Sequence, residues 1–151
     1  MGNANLLASA VAGLVGIIDP DAYTANTYTT DWIAAKDFHS YLALISAGTL
    51  GASATLDAKF EQATDGSGTG AKDIDGKSIT QFTQAGGDSD KQAIINLYPD
   101  ELDVNNDFTH FRLSLTIAAA SSDAGAHVFG LNARYGEASD NDVASVAEIV
   151  S

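Results

Sequence analysis

Apolar and polar side chains alternate without a break between Thr109 and Ile117. From residue 111 onward the odd positions carry Phe, Leu, Leu and Ile, and the even positions from 110 carry His, Arg, Ser and Thr. A period of two places successive side chains on opposite faces of a β-strand, whereas a helix would mix the two sets. The segment from Leu56 to Glu61 alternates in the same way. Both segments therefore predict strands with one buried and one solvent-facing side.

Short apolar runs bounded by turn residues recur along the rest of the chain. They cover residues 40–46, 79–83, 92–97 and 126–131, and clusters of Gly, Asn and Asp separate them. The Gly- and Ser-rich segment 64–70 lacks the G-K-[ST] ending of a phosphate-binding loop and is predicted to be a hairpin tip. About six or seven strands at this spacing predict an all-β fold, an antiparallel β-sandwich or jelly roll.

An apolar run from Leu6 to Ile18 precedes the predicted strands. It is shorter than the roughly 20 residues that a transmembrane helix needs. No Lys or Arg occurs before Lys36, so the run also lacks the basic start of a secretory signal. We expect an N-terminal apolar arm over residues 1–20, with a short helix within residues 3–16, and a single β-sandwich domain over residues 21–151. Helical spacing of apolar residues within 142–150 predicts a second short helix.

The charge balance narrows the range of partners. The chain holds 20 acidic and 7 basic residues, a formal charge of −13, and no cysteine. Nucleic-acid binding depends on Lys and Arg contacts with phosphates, so we expect no nucleic-acid partner. The same repulsion disfavours an anionic membrane surface. Without thiols the chain forms no disulfide and has no cysteine-based metal or catalytic site, so packing alone must stabilise the fold.

The sequence carries no recognisable catalytic set. His39, His110 and His127 are the candidate general bases, but none lies near a G-x-S-x-G elbow or a comparable nucleophile motif. Each is more simply explained as a polar residue of a strand. We therefore expect that the protein is not an enzyme and binds no cofactor.

Acidic turns are abundant enough to raise the question of a metal site. The segment from Asp73 begins like a calcium loop, but Gln84 stands at the twelfth position, where an EF-hand needs glutamate. Other acidic turns, such as those at Asp19 and Asp100, could supply oxygen ligands to a hard cation. Acidic residues also commonly end strands, and we expect no metal.

Exposed aromatic rings are the usual platform for sugars. Trp32 is the strongest candidate, with further aromatic residues at Tyr23, Tyr28, Tyr98 and Tyr135. An aromatic residue in a small sandwich more often belongs to the core. A carbohydrate-binding or host-adhesion module is therefore an alternative function, with Trp32 as its surface aromatic.

Three segments resemble small structural proteins of tailed bacteriophages. They are GTLGASATLDAKFEQATDG at residues 48–66, ITQFTQ at residues 79–84 and FTHFRLSLT at residues 108–116. The resemblance covers roughly residues 26–136, and it implies a virion component of the capsid decoration or cement type. Such proteins carry no catalytic residues to transfer, so the resemblance predicts contact surfaces.

The resulting hypothesis is a decoration protein that binds and stabilises the assembled head. Its expected partners are the major capsid protein and copies of itself as a homo-oligomer, located in the virion after assembly in the host cytoplasm. The apolar N-terminal segment would make the shell or subunit contact, through Leu6, Leu7, Val11, Leu14, Val15, Ile17 and Ile18. A tail-tube or head-completion component is the second alternative, because these components also bury β surfaces against neighbouring copies.

Overall fold

About half of the described residues lie in strands, and the computed structural model, which describes residues 6–151, contains ten strands. Short 3-10 turns lie at Ala35–Asp37, Pro99–Glu101, Val104–Asn106 and Ala138–Asn141. In chain order the other elements are α1 (Ala8–Val11), β1 (Ala12–Tyr23), β2 (Asn26–Thr29), β3 (Ile33–Ala34), β4 (Phe38–Ala47), β5 (Thr55–Ala63), β6 (Lys72–Ser78), β7 (Phe82–Thr83), β8 (Gln92–Leu97), β9 (His110–Ala118) and β10 (Ser122–Ala133).

The strands form two antiparallel sheets. One has four strands in the spatial order β1, β10, β4 and β8. The other has six strands: β2, β9, β5 and β6 follow one another, β3 also pairs with β9, and β7 also pairs with β5. Consecutive strands such as β4 and β5, or β9 and β10, lie in different sheets, so the chain crosses repeatedly between the layers. The fold is thus an antiparallel β-sandwich of the jelly-roll type with a short N-terminal helix, as the strand pattern predicts.

The two strands that alternate most strictly lie side by side in the six-stranded sheet. β5 and β9 pair from Thr55 with Ala118 to Ala63 with His110. The alternating apolar positions of the two predicted segments, 56–61 and 109–117, point into the sandwich, which confirms the strand prediction for both. The buried set is Leu56, Ala58 and Phe60 of β5, and Phe111, Leu113, Leu115 and Ile117 of β9.

A chain of edge-to-face aromatic contacts joins the two sheets. The ring centroids of Phe38 and Tyr41 in β4 lie 5.6 Å apart, and Tyr41 meets Phe111 of β9 at 4.6 Å. Phe111 meets Phe60 of β5 at 5.3 Å. The Tyr41 hydroxyl donates a 3.0 Å hydrogen bond to the Ala34 carbonyl, and burial raises the pKa of Tyr41 above its ordinary value. Each aromatic pair contributes about 0.5–1.5 kcal/mol beyond its buried area, so this chain defines how the sheets face each other.

Two paired glycines make room for the ring of Phe38. Gly13 of β1 and Gly130 of β10 are cross-strand partners. A Cβ atom at Gly130 would lie 2.4 Å from Cδ2 of Phe38, and one at Gly13 would lie 2.5 Å from the carbonyl oxygen of Ala138. The aromatic ring and the 3-10 turn at Ala138–Asn141 therefore pack directly on the backbone of the four-stranded sheet.

Most of the segment expected to be an N-terminal arm is strand β1. Ala12–Tyr23 pairs with β10, and Ile18 is buried in the core at 4% exposure. The expected boundary at residue 20 therefore falls inside a strand, and of the described residues only 6–11 precede the sheet. The four-residue helix α1 lies within the range predicted for a short helix, whose first residues, 3–5, fall outside the described part.

A β-bulge hides the strand period of β1 in the sequence. Gly13 and Gly16 face the core, while Leu14 and Ile17 face outward. The register shifts between Leu14 and Gly16, which leaves Val15 as the extra residue. One inserted residue breaks a period of two, so the run resembles a continuous apolar arm rather than a strand.

The helix predicted within residues 142–150 is wrong. The carboxylate of Asp142 accepts a 2.8 Å hydrogen bond from the backbone N–H of Leu14. The N–H of Val143 donates a 2.8 Å hydrogen bond to the carbonyl of Leu14. A helix of nine residues is marginal in water, and these bonds satisfy an otherwise open strand edge. The C-terminal segment therefore begins as an extended cap on β1.

The predicted hairpin tip at residues 64–70 is confirmed. It connects β5 with β6, which pair in antiparallel fashion. The Asp65 carboxylate accepts hydrogen bonds from the backbone N–H groups of Thr69 and Ser67, at 3.1 and 2.9 Å. Bonds from Thr69 and Ser67 hold the pKa of Asp65 below its ordinary value. The loop is thus organised by its own aspartate rather than by a bound phosphate.

Replacing Gly130 by alanine should destabilise the sandwich by about 1–3 kcal/mol, because the added methyl group overlaps the Phe38 ring and the aromatic chain must shift. Urea unfolding followed by circular dichroism measures this change. Gly66→Ala is the matched control, since its Cβ would meet nothing closer than the His110 ring at 3.6 Å. Equal stability of the two variants would contradict the packing described for Phe38.

Candidate interaction surfaces

The outer face of the four-stranded sheet is apolar, although it does not face the core. In β4, Tyr41, Ala43 and Ile45 point inward and are buried, while Leu42 and Leu44 point outward and stay partly exposed. Similar outward positions on the other three strands are apolar as well. We call this set, together with the polar residues between them, the apolar sheet face: Leu14, Ile17, Leu42, Leu44, Ile94, Phe129 and Leu131, with His127, Ser40 and Asn96.

Strand register arranges these side chains in rows. Leu14, Phe129 and Leu42 are consecutive cross-strand neighbours, and Asn96 ends that row. In the next row, Ile17, His127, Leu44 and Ile94 are neighbours in the same way. Ile94, at the open edge, is 58% exposed. Cross-strand neighbours lie about 4.5–5.5 Å apart at Cβ, so the rows form one continuous patch.

His127 is the only ionisable side chain of the apolar sheet face. Its ring stacks on Phe129, with centroids 6.2 Å apart and an interplanar angle of 18°. Beyond His127 the face runs into an open concavity of about 560 Å³, whose walls include Pro20, Asp21 and Asp123. Asp21 and Asp123 thus border the face at one end, where the last residues of β1 pair with the first residues of β10.

The outer face of the six-stranded sheet has the opposite character. Arg112 of β9 and Glu61 of β5 form an ion pair at 2.9 Å, and Lys59 bonds Asp73 of β6 at 2.7 Å. Such pairs at a surface contribute little stability, because water screens them. These ion pairs keep this outer face hydrated, because its charged groups remain in contact with water.

The residues predicted to contact a shell or a subunit are divided among three environments. Leu6 and Leu7 are exposed, at 54% and 56%, and Val11 is half-buried at the end of α1. Leu14 and Ile17 belong to the apolar sheet face. Val15 packs, partly buried, against the core and Ile18 is buried inside it, so neither belongs to the apolar sheet face.

Sequence reasoning missed the larger part of the apolar sheet face. Leu42, Leu44, Ile94, Phe129 and Leu131 were not among the predicted contact residues. The signal was present, because the runs at 40–46, 92–97 and 126–131 are apolar at both odd and even positions. A run of this kind predicts a strand covered on both sides. In this structure the core covers one side only.

One face and one edge of the Trp32 ring are occupied by other parts of the protein. The guanidinium carbon of Arg112 lies 4.4 Å from the ring centroid, in cation–π contact. The indole edge faces the hairpin tip, where a Cβ at Gly68 would lie 2.7 Å from Nε1 of Trp32. Sugar stacking needs an open ring face, so this arrangement gives the carbohydrate-binding hypothesis no support at Trp32.

The other aromatic candidates differ in exposure. Tyr98 and Tyr135 are exposed, at 60% and 75%. Tyr23 and Tyr28 pack against each other, with ring centroids 4.3 Å apart, and both also contact the core. Tyr98 and Tyr135 are therefore the exposed aromatic candidates, whereas Tyr23 and Tyr28 form a packed pair.

The hydrogen bonds of His110 argue against a catalytic role. Its Nδ1 lies 2.8 Å from the hydroxyl oxygen of Thr109. That hydroxyl donates its proton to the Thr64 carbonyl at 3.0 Å, so the imidazole donates to the hydroxyl rather than accepting from it. A general base must accept the proton of its nucleophile. Thr109 and His110 therefore form a structural link to the hairpin tip.

Acidic side chains form ion pairs rather than a clustered ligand set. Asp103 accepts a hydrogen bond from Lys72 at 2.5 Å, and hydrogen bonding to Lys72 and Asn106 lowers its pKa. Within residues 6–151, no group of three or more His, Asp and Glu side chains is arranged to hold a metal ion. No helix in that range is long and apolar enough to cross a membrane.

Comparisons with known proteins bear on the fold alone. No family model and no curated protein sequence matches this chain. Among solved structures, a chain of the infectious bursal disease virus T13 particle matches 80% of this chain with 12% identity and a TM-score of 0.50. This chain spans about a third of the length of the chains of that virus that it matches.

Two further matches have lower TM-scores. A chain of Broad Bean Stain Virus matches 92% of this chain and 93% of its own length, with 10% identity and a TM-score of 0.48. A CBM4 structure matches 81% of this chain and 68% of its own length, with 12% identity and a TM-score of 0.37. The match with a TM-score of 0.50 thus indicates a fold shared with a chain of a viral particle.

Replacing Arg112 by alanine should uncover the ring of the single tryptophan. We expect the emission of Trp32 to shift to longer wavelength and its quenching by iodide to increase, because water replaces the guanidinium. Fluorescence spectroscopy measures both. Lys59→Ala removes a cation from the same face without touching the ring and should leave the emission unchanged. Unchanged emission in Arg112→Ala would show that the ring is open after all.

Proposed function

We propose that this protein is a virion structural component of a tailed bacteriophage that binds and stabilises the assembled head, as a decoration or cement protein. Leu6 and Leu7, which stay exposed beside the sandwich, carry this proposal. The largest continuous apolar patch on a typical monomeric protein covers roughly 300–600 Å², and such a patch is often functional. The jelly-roll architecture shared with a chain of a viral particle, and the sequence segments that resemble phage structural proteins, support the same class.

Shell binding is assigned to the exposed start of the described chain. Leu6 and Leu7 lie just before α1, and α1 packs on the 3-10 turn at Ala138–Asn141. Ile149 and Val150 of the C-terminal segment are also exposed, at 48% and 84%. The protein therefore offers exposed leucines on a short segment that is itself anchored to the sandwich. Such a segment can insert into a shell without disturbing the fold.

The charge distribution suits a protein that stays soluble until it binds. A net charge of −13 makes unbound copies repel one another at long range. The protein would then act in the virion, assembled in the host cytoplasm, with the major capsid protein as its shell partner. A tail-tube or head-completion role stays an alternative, which binding to complete capsids distinguishes from assembly into free rings.

Leu6→Asp should weaken binding to capsids assembled from the major capsid protein of the virus that encodes the chain. A loss of about tenfold or more is expected, because burial of one leucine contributes roughly 1.5–3 kcal/mol. Co-sedimentation of labelled protein with capsids measures the loss. Val104→Asp is the matched control, since Val104 is also 54% exposed and the charge change is the same.

The position of β1 limits how many N-terminal residues can be deleted without unfolding the protein. Deletion of residues 1–7 should reduce capsid binding while the melting temperature stays unchanged, because α1 and β1 remain. Deletion of residues 1–20 would remove most of an edge strand and unfold the protein. If the wild-type protein fails to bind capsids, or if both Leu6→Asp and the deletion bind as well as wild type, the assignment of the shell contact is wrong.

A further inference from the structure

We infer that the apolar sheet face is a self-association surface, on which a second copy of this chain packs face to face. The surface is distinct from the leucines assigned to shell binding. The inference therefore goes beyond the proposed function and can hold without it. The partner is another copy of the chain, and the contact surface is the apolar sheet face.

The absence of charge on this face favours a second copy. The chain carries 20 acidic and 7 basic residues, but none of them belongs to the apolar sheet face. A partner selected by charge would be basic and would meet carboxylates, which this face does not offer. A second copy presents the same uncharged rows of Leu, Ile and Phe. A two-fold contact requires that kind of self-complementary patch.

The exposure of the face shows that the sandwich itself leaves it uncovered. Ile94 is 58% exposed, and Leu44 and Phe129 are partly exposed. The partly buried apolar residues that pack against the core include Val15 and Phe108, but no residue of the apolar sheet face. Covering the face therefore needs surface from outside the two sheets.

The size of the face predicts a weak dimer. Four strands about 4.8 Å apart, each contributing about six residues at about 3.3 Å, give roughly 400 Å² of flat surface per copy. Two copies then bury roughly 800 Å², below the 1,200–2,000 Å² that is typical of stable complexes. The dimer is therefore concentration-dependent in solution. Copies held close together by binding to one surface would associate at a higher effective concentration.

Charge at the ends of the face decides the orientation of the dimer. Asp21 and Asp123 lie at the end near Ser46, and Ser40 lies at the other end of the same strand. A two-fold axis along the strands would bring the acidic ends of both copies together. An axis across the strands places the acidic end of one copy over the Ser40 end of the other. Repulsion between Asp21 and Asp123 of the two copies disfavours the first arrangement, although the Asp142 carboxylate beside Leu14 also borders the face toward its Ser40 end.

Sedimentation equilibrium of the purified chain tests the self-association in the absence of any capsid. The weight-average mass should rise from monomer toward dimer with concentration. Added salt should strengthen the association, because it screens repulsion between copies that each carry −13 but does not weaken apolar contact. A chain that remains a monomer up to millimolar concentration at all salt concentrations would overturn the inference.

A charge placed on the face should abolish the dimer. Ile94→Asp should raise the dissociation constant by about tenfold or more, since the carboxylate would be buried in an apolar contact. Ile94 is already mostly exposed, so the fold should tolerate the change, and circular dichroism checks this. Val104→Asp, with similar exposure and the same charge change, is the control. Equal effects of the two variants would place the contact elsewhere and contradict the inference.

Cysteine cross-linking tests the orientation, because the chain has no cysteine of its own. Ser40 and Ser46 both point outward from β4, about 20 Å apart at about 3.3 Å per residue. A short bis-maleimide should link Ser40→Cys to Ser46→Cys in a mixture of the two variants, and should link neither variant efficiently to itself. Efficient linking of Ser46→Cys to itself would show the opposite axis.

Discussion

Contact between two apolar inner faces, through the aromatic chain from Phe38 to Phe60, holds this sandwich together. Phe38 and Tyr41 belong to one sheet, and Phe111 and Phe60 belong to the other, so their contacts fix the relative position of the layers. The glycine pair at residues 13 and 130 exists to admit this packing. Because no disulfide is available, the position of every outer surface depends on this core.

The two outer faces then acquire different properties. The outer face of the six-stranded sheet carries ion pairs such as Arg112 with Glu61, and water solvates this face. The four-stranded sheet presents leucine, isoleucine and phenylalanine on both sides. A strongly acidic composition compensates for such an exposed patch, because repulsion between copies opposes indiscriminate aggregation. The protein is therefore a two-sheet sandwich with one charged, hydrated outer face and one apolar outer face.

This organisation fits a structural role in an assembly better than catalysis. Thr109 and His110, the closest approach to a nucleophile and base among the histidine contacts described, share a hydrogen bond with the wrong polarity for proton abstraction. Trp32, the aromatic residue expected to serve a sugar site, is covered by Arg112. Exposed apolar surface is what the described residues offer instead, both at Leu6 and Leu7 and on the apolar sheet face.

The sequence by itself determined the all-β class and the two central strands β5 and β9, because a period of two is a local property that any strand with one buried face must show. It also determined the hairpin tip at residues 64–70.

Only the tertiary structure decided that residues 12–20 join the sheet, since the bulge at Val15 breaks their period and the partner strand lies more than a hundred residues away. It likewise decided that Asp142 and Val143 cap a strand edge instead of starting a helix. The position of the proposed contact surface also depends on the tertiary structure. The sequence of a strand that is apolar on both sides does not indicate which side faces the core. That depends on how the two sheets stack.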